Sequence, residues 1–180
     1  MSIFEVVFNL VGLVLGLALV EVLSGLARLI KARDKLRIGW LNPLLAVLVL
    51  ADVTSFWGQA YEIRERLPSV WPSLGAGLII TSVYYLAASF VVPQGLDDQT
   101  EYDHSYWTTK RFVLGAILLC NGAAWTISLL LGRVWEVQVW IINAIYASLL
   151  IAAIIVPGRR LNIAILAVMI AILGWAFATP

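Results

Sequence analysis

Hydrophobic residues run along this chain in six long blocks, about 3–30, 40–61, 74–92, 112–131, 135–156 and 161–178, separated by short polar or proline-bearing breaks. An α-helix needs about 20 apolar residues to cross a hydrocarbon core of roughly 30 Å, at 1.5 Å per residue. Each block meets that length, and a helix satisfies its own backbone where no water is available. The pattern therefore predicts an all-α, polytopic membrane protein: a six-helix transmembrane bundle forming a single domain over residues 1–180. The first block, Ile3 to Ile30, would span about 42 Å, so it is expected to tilt or protrude at its C-terminal end. Pro43 falls in the first turn of the second block, where no intrahelical donor is needed. Pro68 and Pro72 separate the second block from the third, and Pro93 closes the third. Gln94 to Arg111 is the one long polar connection. Its tyrosines and tryptophan, interleaved with Asp97, Asp98, Glu101, Asp103 and His104, predict a short interfacial segment between the third and fourth helices.

Composition agrees with the pattern: 62% hydrophobic and 13% charged residues among 180 cannot surround a single water-soluble core. A net charge of +1 gives no footprint for nucleic acid. Cys120 is the single cysteine, so no disulfide within the chain is possible. Acidic Glu5 stands where a secretion signal carries its basic residues, so the first helix is expected to persist in the mature protein.

The charges also predict orientation. Nine of the twelve Lys and Arg residues follow the first, third and fifth blocks: Arg28, Lys31, Arg33, Lys35 and Arg37, then Lys110 and Arg111, then Arg159 and Arg160. Only Arg64, Arg66 and Arg133 lie on the other side. The positive-inside rule then puts both termini outside the cytoplasm. Arg28, Lys31, Arg33, Lys110 and Arg111 are the candidate contacts to lipid headgroups. Trp57, Trp71, Trp135, Trp140 and Trp175 fall toward the opposite side, as an aromatic belt.

Glu21 and Asp52 are the acidic residues deep inside the blocks, about 10 and 18 Å from the basic boundary at helical rise. A charge at the bilayer centre costs about 2.5–3.5 kcal/mol even on insertion scales, and neither residue has a cation at comparable depth. Carboxylates so placed suit a proton relay or a cation site, or else hydrogen-bond neighbouring helices. Asp52 shares a helical stripe with Ser55, Gln59 and Glu62, which reads as one wall of a hydrated path. Tyr85, with Ser82 and Ser89, gives a weaker wall on the third helix. Asn121, with Trp125 and Ser128, gives one on the fourth, and Asn143 with Tyr146 one on the fifth. Gly12 and Gly16 on the first helix, and Ala164, Ala167, Ala171 and Gly174 on the sixth, are small-residue seams that permit close helix packing or contact with a second copy. Halving the six blocks into an inverted three-plus-three repeat finds little internal similarity.

Several stretches resemble a family of small bacterial multi-span membrane proteins to which no reaction is assigned. They are Leu23-Ser24-Gly25-Leu26-Ala27-Arg28 with its basic tail, Phe56-Trp57 followed by Arg64, and Tyr84-Tyr85-Leu86-Ala87-Ala88 leading to Pro93. The fourth is Asp103-His104-Ser105-Tyr106-Trp107 with Lys110-Arg111-Phe112. The resemblance covers about residues 10–115 and implies the bacterial inner membrane. It also implies two arginines where this chain has Lys110-Arg111, and a lysine lacks the planar fork that grips phosphate bidentately.

No His-Glu-x-x-His, Gly-x-Ser-x-Gly or phosphate-cradling loop occurs, so neither an enzyme nor a cofactor or metal is expected. The expectation is a small homo-oligomeric channel or transporter subunit that moves protons, cations or a small solute through Asp52 and Glu21. The alternative is a non-catalytic scaffold or accessory subunit of a larger membrane complex.

Overall fold

A computed structural model describes residues 3–32, 39–67, 69–92 and 102–178, with the side chains of 3, 4, 32, 64 and 102–104 outside the description. Six helices occupy it: α1 (Ile3–Ala32), α2 (Leu41–Glu62), α3 (Val70–Ser89), α4 (Tyr102–Leu130), α5 (Val137–Ile155) and α6 (Arg159–Ala178), with one 3-10 turn at Arg64–Arg66. All six are long and apolar enough to cross a membrane. Thirty large hydrophobic residues among those described remain exposed around the bundle, which is what a helix bundle with an apolar surround requires.

Two boundaries differ from the sequence expectation. α3 begins at Val70, four residues earlier, because Pro72 sits in its first turn, where its missing N–H has no partner to lose. α4 begins at Tyr102, so the second half of the expected interfacial segment is continuous with the fourth helix. Nothing between Tyr102 and Arg111 interrupts a helix, and the Thr108 and Thr109 hydroxyls bond back to the Ser105 carbonyl at 2.9 Å. The remainder of that segment, 93–101, lies outside the described residues.

The helices form a ring in the order α1, α3, α4, α5, α6, α2, with α2 also reaching α4 across the middle. α2 is the most enclosed helix, with half of its apolar window buried. α1 packs closely along α3, whereas α4 makes no comparable contact with α6 among the described residues, so the pairing is not repeated between the halves. The close approach of α1 and α3 is set by glycines other than the expected pair. A Cβ on Gly25 would sit 2.8 Å from Val92 Cβ, and one on Gly77 would sit 2.7 Å from Val11 Cγ2. A Cβ on Gly12 would sit 3.2 Å from the Trp57 ring, but Gly16 faces open space. Gly16 is therefore not a packing residue in this bundle; the α-helical stripe that meets α3 is Val7, Val11, Leu15, Ala18 and Val22, on the other side of α1.

α4 ends on Gly132, at φ +72°, with Arg133 N–H bonded to the Ser128 carbonyl at 3.0 Å and Gly132 N–H to the Leu129 carbonyl at 2.9 Å. This paired closure uses a residue free of the Cβ penalty at positive φ. It turns the chain so that Arg133 pairs with Glu62 at the end of α2 and stacks 5.6 Å over Trp135.

Candidate functional site

Asp52 lies on the buried stripe Leu45, Leu48, Val49, Asp52, Phe56 of α2, and is 2% exposed. Three other helices send a donor to it. Tyr84 of α3 donates its hydroxyl to Oδ2 at 2.7 Å, and Tyr146 of α5 donates to Oδ1 at 2.8 Å. The Asn121 amide of α4 lies 3.1 Å from both oxygens, while also bonding the Ile117 carbonyl at 3.0 Å. Each helix has a local reason for aiming its group inward. Tyr84 belongs to the stripe Ile80, Thr81, Tyr84, Ala87, Ala88, Tyr146 to Tyr146, Leu150, Ala153, and Asn121 to Ile117, Cys120, Asn121, Ala124, all buried at helical spacing. Tyr84 and Tyr146 hydroxyls find their hydrogen-bond acceptor only in Asp52 among the described residues.

Four helices thus converge on one carboxylate, and all donors are neutral. Charge on Asp52 is stabilised by short hydrogen bonds in place of a counter-ion. The arrangement is also sensitive to a proton. A protonated carboxyl gains a donor and loses one acceptor site, so the two tyrosines and Asn121 would share fewer lone pairs.

The remaining sequence candidates fall elsewhere. Ser55 and Gln59 stay on α2 beyond Asp52 and bond each other, Gln59 Nε2 to Ser55 Oγ at 3.4 Å. Tyr85, expected to line a path, is 39% exposed and points away from the bundle; its neighbour Tyr84 takes the inward place because the buried stripe of α3 runs through 80, 84 and 87. Glu21 is not near Asp52. It stays on α1 with Arg28 Nη2 3.9 Å away, so it does have a cationic partner, two turns along its own helix.

Among the headgroup candidates, Lys31 and Arg111 are exposed and Arg28 is partly buried beside Glu21, while Arg33 lies outside the described residues. Lys110 is the correction. It is 4% exposed, and its Nζ donates to the carbonyls of Ala153 at 2.9 Å and Val156 at 2.7 Å, with Asn162 Oδ1 at 3.5 Å. Those carbonyls are the orphan acceptors at the end of α5, and a cation there also meets the negative end of the helix dipole. Tyr106 donates to Asn162 Oδ1 at 2.7 Å, Asn162 Nδ2 bonds Val156 and Gly158 carbonyls at 2.9 Å, and Trp107 covers the ammonium at 4.5 Å. A second buried polar cluster therefore ties α4, α5 and α6 at the basic end.

The α6 seam Ala164, Ala167, Ala171 and Gly174 is exposed, on the side of the helix turned away from the bundle. No group of three residues able to hold a metal occurs among the described residues.

Tyr84 and Tyr146 were readable as partners by depth. Asp52, Tyr84, Asn121 and Tyr146 each stand 8 to 12 residues from the basic end of their block, about 12–18 Å at helical rise. Polar residues at one level on neighbouring helices are the signal that finds them.

Between α1, α2, α3 and α4, at the end away from the basic residues, lies a cavity of about 350 Å³. Its inner end is formed by Phe56, Ile80 and Ala124, each one turn from Asp52, Tyr84 and Asn121 respectively. Comparison with protein-family models, with curated proteins and with solved structures finds no match to this chain.

Proposed function

We propose that this chain is a multi-pass protein of the bacterial inner membrane with both termini on the non-cytoplasmic side, and that it works as a small transporter subunit in which Asp52 is the proton-exchanging group. The observation that supports this reading is the enclosure of a single carboxylate by neutral donors from three other helices. Loading and unloading a proton there changes the number of bonds joining α2 to α3 and α5. That gives the differential contact between two states on which a proton-driven rearrangement depends. The outward α6 seam supports assembly of several copies. The test is proton flux into proteoliposomes, followed with an entrapped pH-sensitive dye under an imposed gradient. Asp52→Asn, which keeps shape but cannot ionise, is expected to abolish flux while the folded protein is recovered in normal yield. Undiminished flux removes Asp52 from the mechanism.

A second reading, a scaffold or accessory subunit, is favoured by the same cluster taken as a static clamp, since all its donors are already engaged. In that case the wild type shows no flux above empty vesicles, and foreign membrane subunits copurify in mild detergent.

A further inference from the structure

The cavity between α1, α2, α3 and α4 has the makings of a binding site in its own right. Its volume of about 350 Å³ lies within the range of small-molecule pockets. The walls are apolar: Val7, Phe8 and Val11 on one side, Ala76 and Gly77 on another, with Phe56, Ile80 and Ala124 at the bottom. No charged side chain lines it among the described residues. An ion or a hydrated solute would lose its water there with nothing in return, so the occupant is neutral.

The few polar groups are placed along its length. Gln59 and Ser128 stand about one turn above the bottom, and Ser73 is nearer the mouth, beside Pro72. Ser128 is the informative one. Its side chain is 2% exposed, yet its hydroxyl has no hydrogen bond among the described residues. Several helical hydroxyls in this chain bond the carbonyl four residues back, as Thr126 does to Gly122 at 2.8 Å and Ser148 to Ala144 at 2.7 Å. A hydroxyl that lines a cavity and makes no bond among the described residues can accept from or donate to a group from outside the chain. Gln59 commits only one amide hydrogen, to Ser55, and retains its carbonyl oxygen.

We infer that this cavity binds one molecule of a neutral, single-chain lipophile carrying a hydroxyl or carbonyl end. The polar end would hydrogen-bond to Ser128 and Gln59, and the hydrocarbon would run from there along the apolar walls toward the mouth. This inference stands apart from the transport reading: it needs neither flux nor a change at Asp52.

The test uses the full chain in phosphatidylcholine nanodiscs, with a hexadecanol bearing a diazirine as the probe. Photolysis followed by peptide mapping is expected to place label on Phe8, Phe56 or Ile127. Excess unlabelled hexadecanol lowers that labelling at least fivefold. Ala76→Phe and Ala60→Phe, which fill the space, lower it similarly, and Ser128→Ala lowers it about threefold at unchanged thermal stability, as loss of one hydrogen bond predicts. If Ala76→Phe does not fold, Ala60→Phe and the competition still decide. Three outcomes overturn the inference. One is label spread evenly over outward residues such as Leu17, Val20 and Ile79. Another is equal labelling of the cavity by a phosphatidylcholine with the diazirine on its acyl chain, undisplaced by the alcohol. The third is labelling of the cavity that neither filling substitution nor competition reduces.

Discussion

Among the described residues the bundle buries one acidic and one basic side chain in polar clusters, Asp52 and Lys110, and the two are satisfied by different parts of the chain. Lys110 bonds two carbonyls at the end of α5 and the amide oxygen of Asn162. Those carbonyls exist at the end of any helix, whatever its side chains, and they already carry the negative end of the dipole. Asp52 is held by Tyr84, Asn121 and Tyr146, all of them side chains from separate helices. The first cluster is a cap that needs only a cation of the right reach. The second exists only if four identities coincide at one depth, and each of its bonds depends on which oxygen carries a proton. A joint built on main-chain carbonyls and one built on a shared carboxylate thus sit at different levels of one bundle.

Replacing the two charges in parallel should separate these roles most widely. Asp52→Asn is expected to reduce dye-reported proton flux to the level of empty vesicles, whereas Lys110→Met should leave the flux per folded molecule within about twofold. Equal loss in both variants would mean that the clusters act as one unit.

Stability should show the reverse bias. Lys110→Met leaves two carbonyls and Asn162 without their donor and is expected to cost about 2–3 kcal/mol, read as a lowered midpoint in thermal or denaturant unfolding of the detergent-solubilised protein. Lys110→Arg should not restore it, because the guanidinium fork is too wide for carbonyls gathered around one ammonium. Full recovery by arginine would show that charge at the end of α5 suffices.

Within the Asp52 cluster, Tyr84→Phe and Tyr146→Phe are each expected to cost about 1 kcal/mol, in keeping with hydrogen bonds measured inside membranes. Combined, they should depart from additivity by about 0.5 kcal/mol or more, since both bond the same carboxylate. Strict additivity in the same unfolding measurement would argue against a shared, bistable site. The smallest effect is expected at Gly132→Ala, about 1 kcal/mol or less from forcing a Cβ into the left-handed region at the end of α4, with no change in flux.

How much of this was legible beforehand follows from the same contrast. Apolar block length predicts the six helices, because each must satisfy its backbone internally and that requirement is local. Asp52 and Asn121 stand out because polar groups in such blocks are costly. Periodicity alone does not distinguish Tyr84 from Tyr85, since an aromatic residue is at home on either face of a membrane helix. Lys110 reads as a headgroup contact for a related reason. A lysine beside an arginine at a block boundary has a long stem that reaches headgroups or helix ends equally well, and the end of α5 is 43 residues or more further along the chain.

The sequence by itself therefore determined that the chain is all-helical, how many helices are long and apolar enough to cross a membrane, and which residues within them are costly to bury. Only the tertiary structure decided that α1 lies along α3 through Gly25 and Gly77, that Lys110 turns inward, that Glu21 stays with Arg28, and that Asp52 meets two tyrosines beneath an apolar cavity. The reason is physical: helix formation is set by near neighbours in the chain. Which face of one helix meets which face of another depends on side-chain shape summed over the whole bundle.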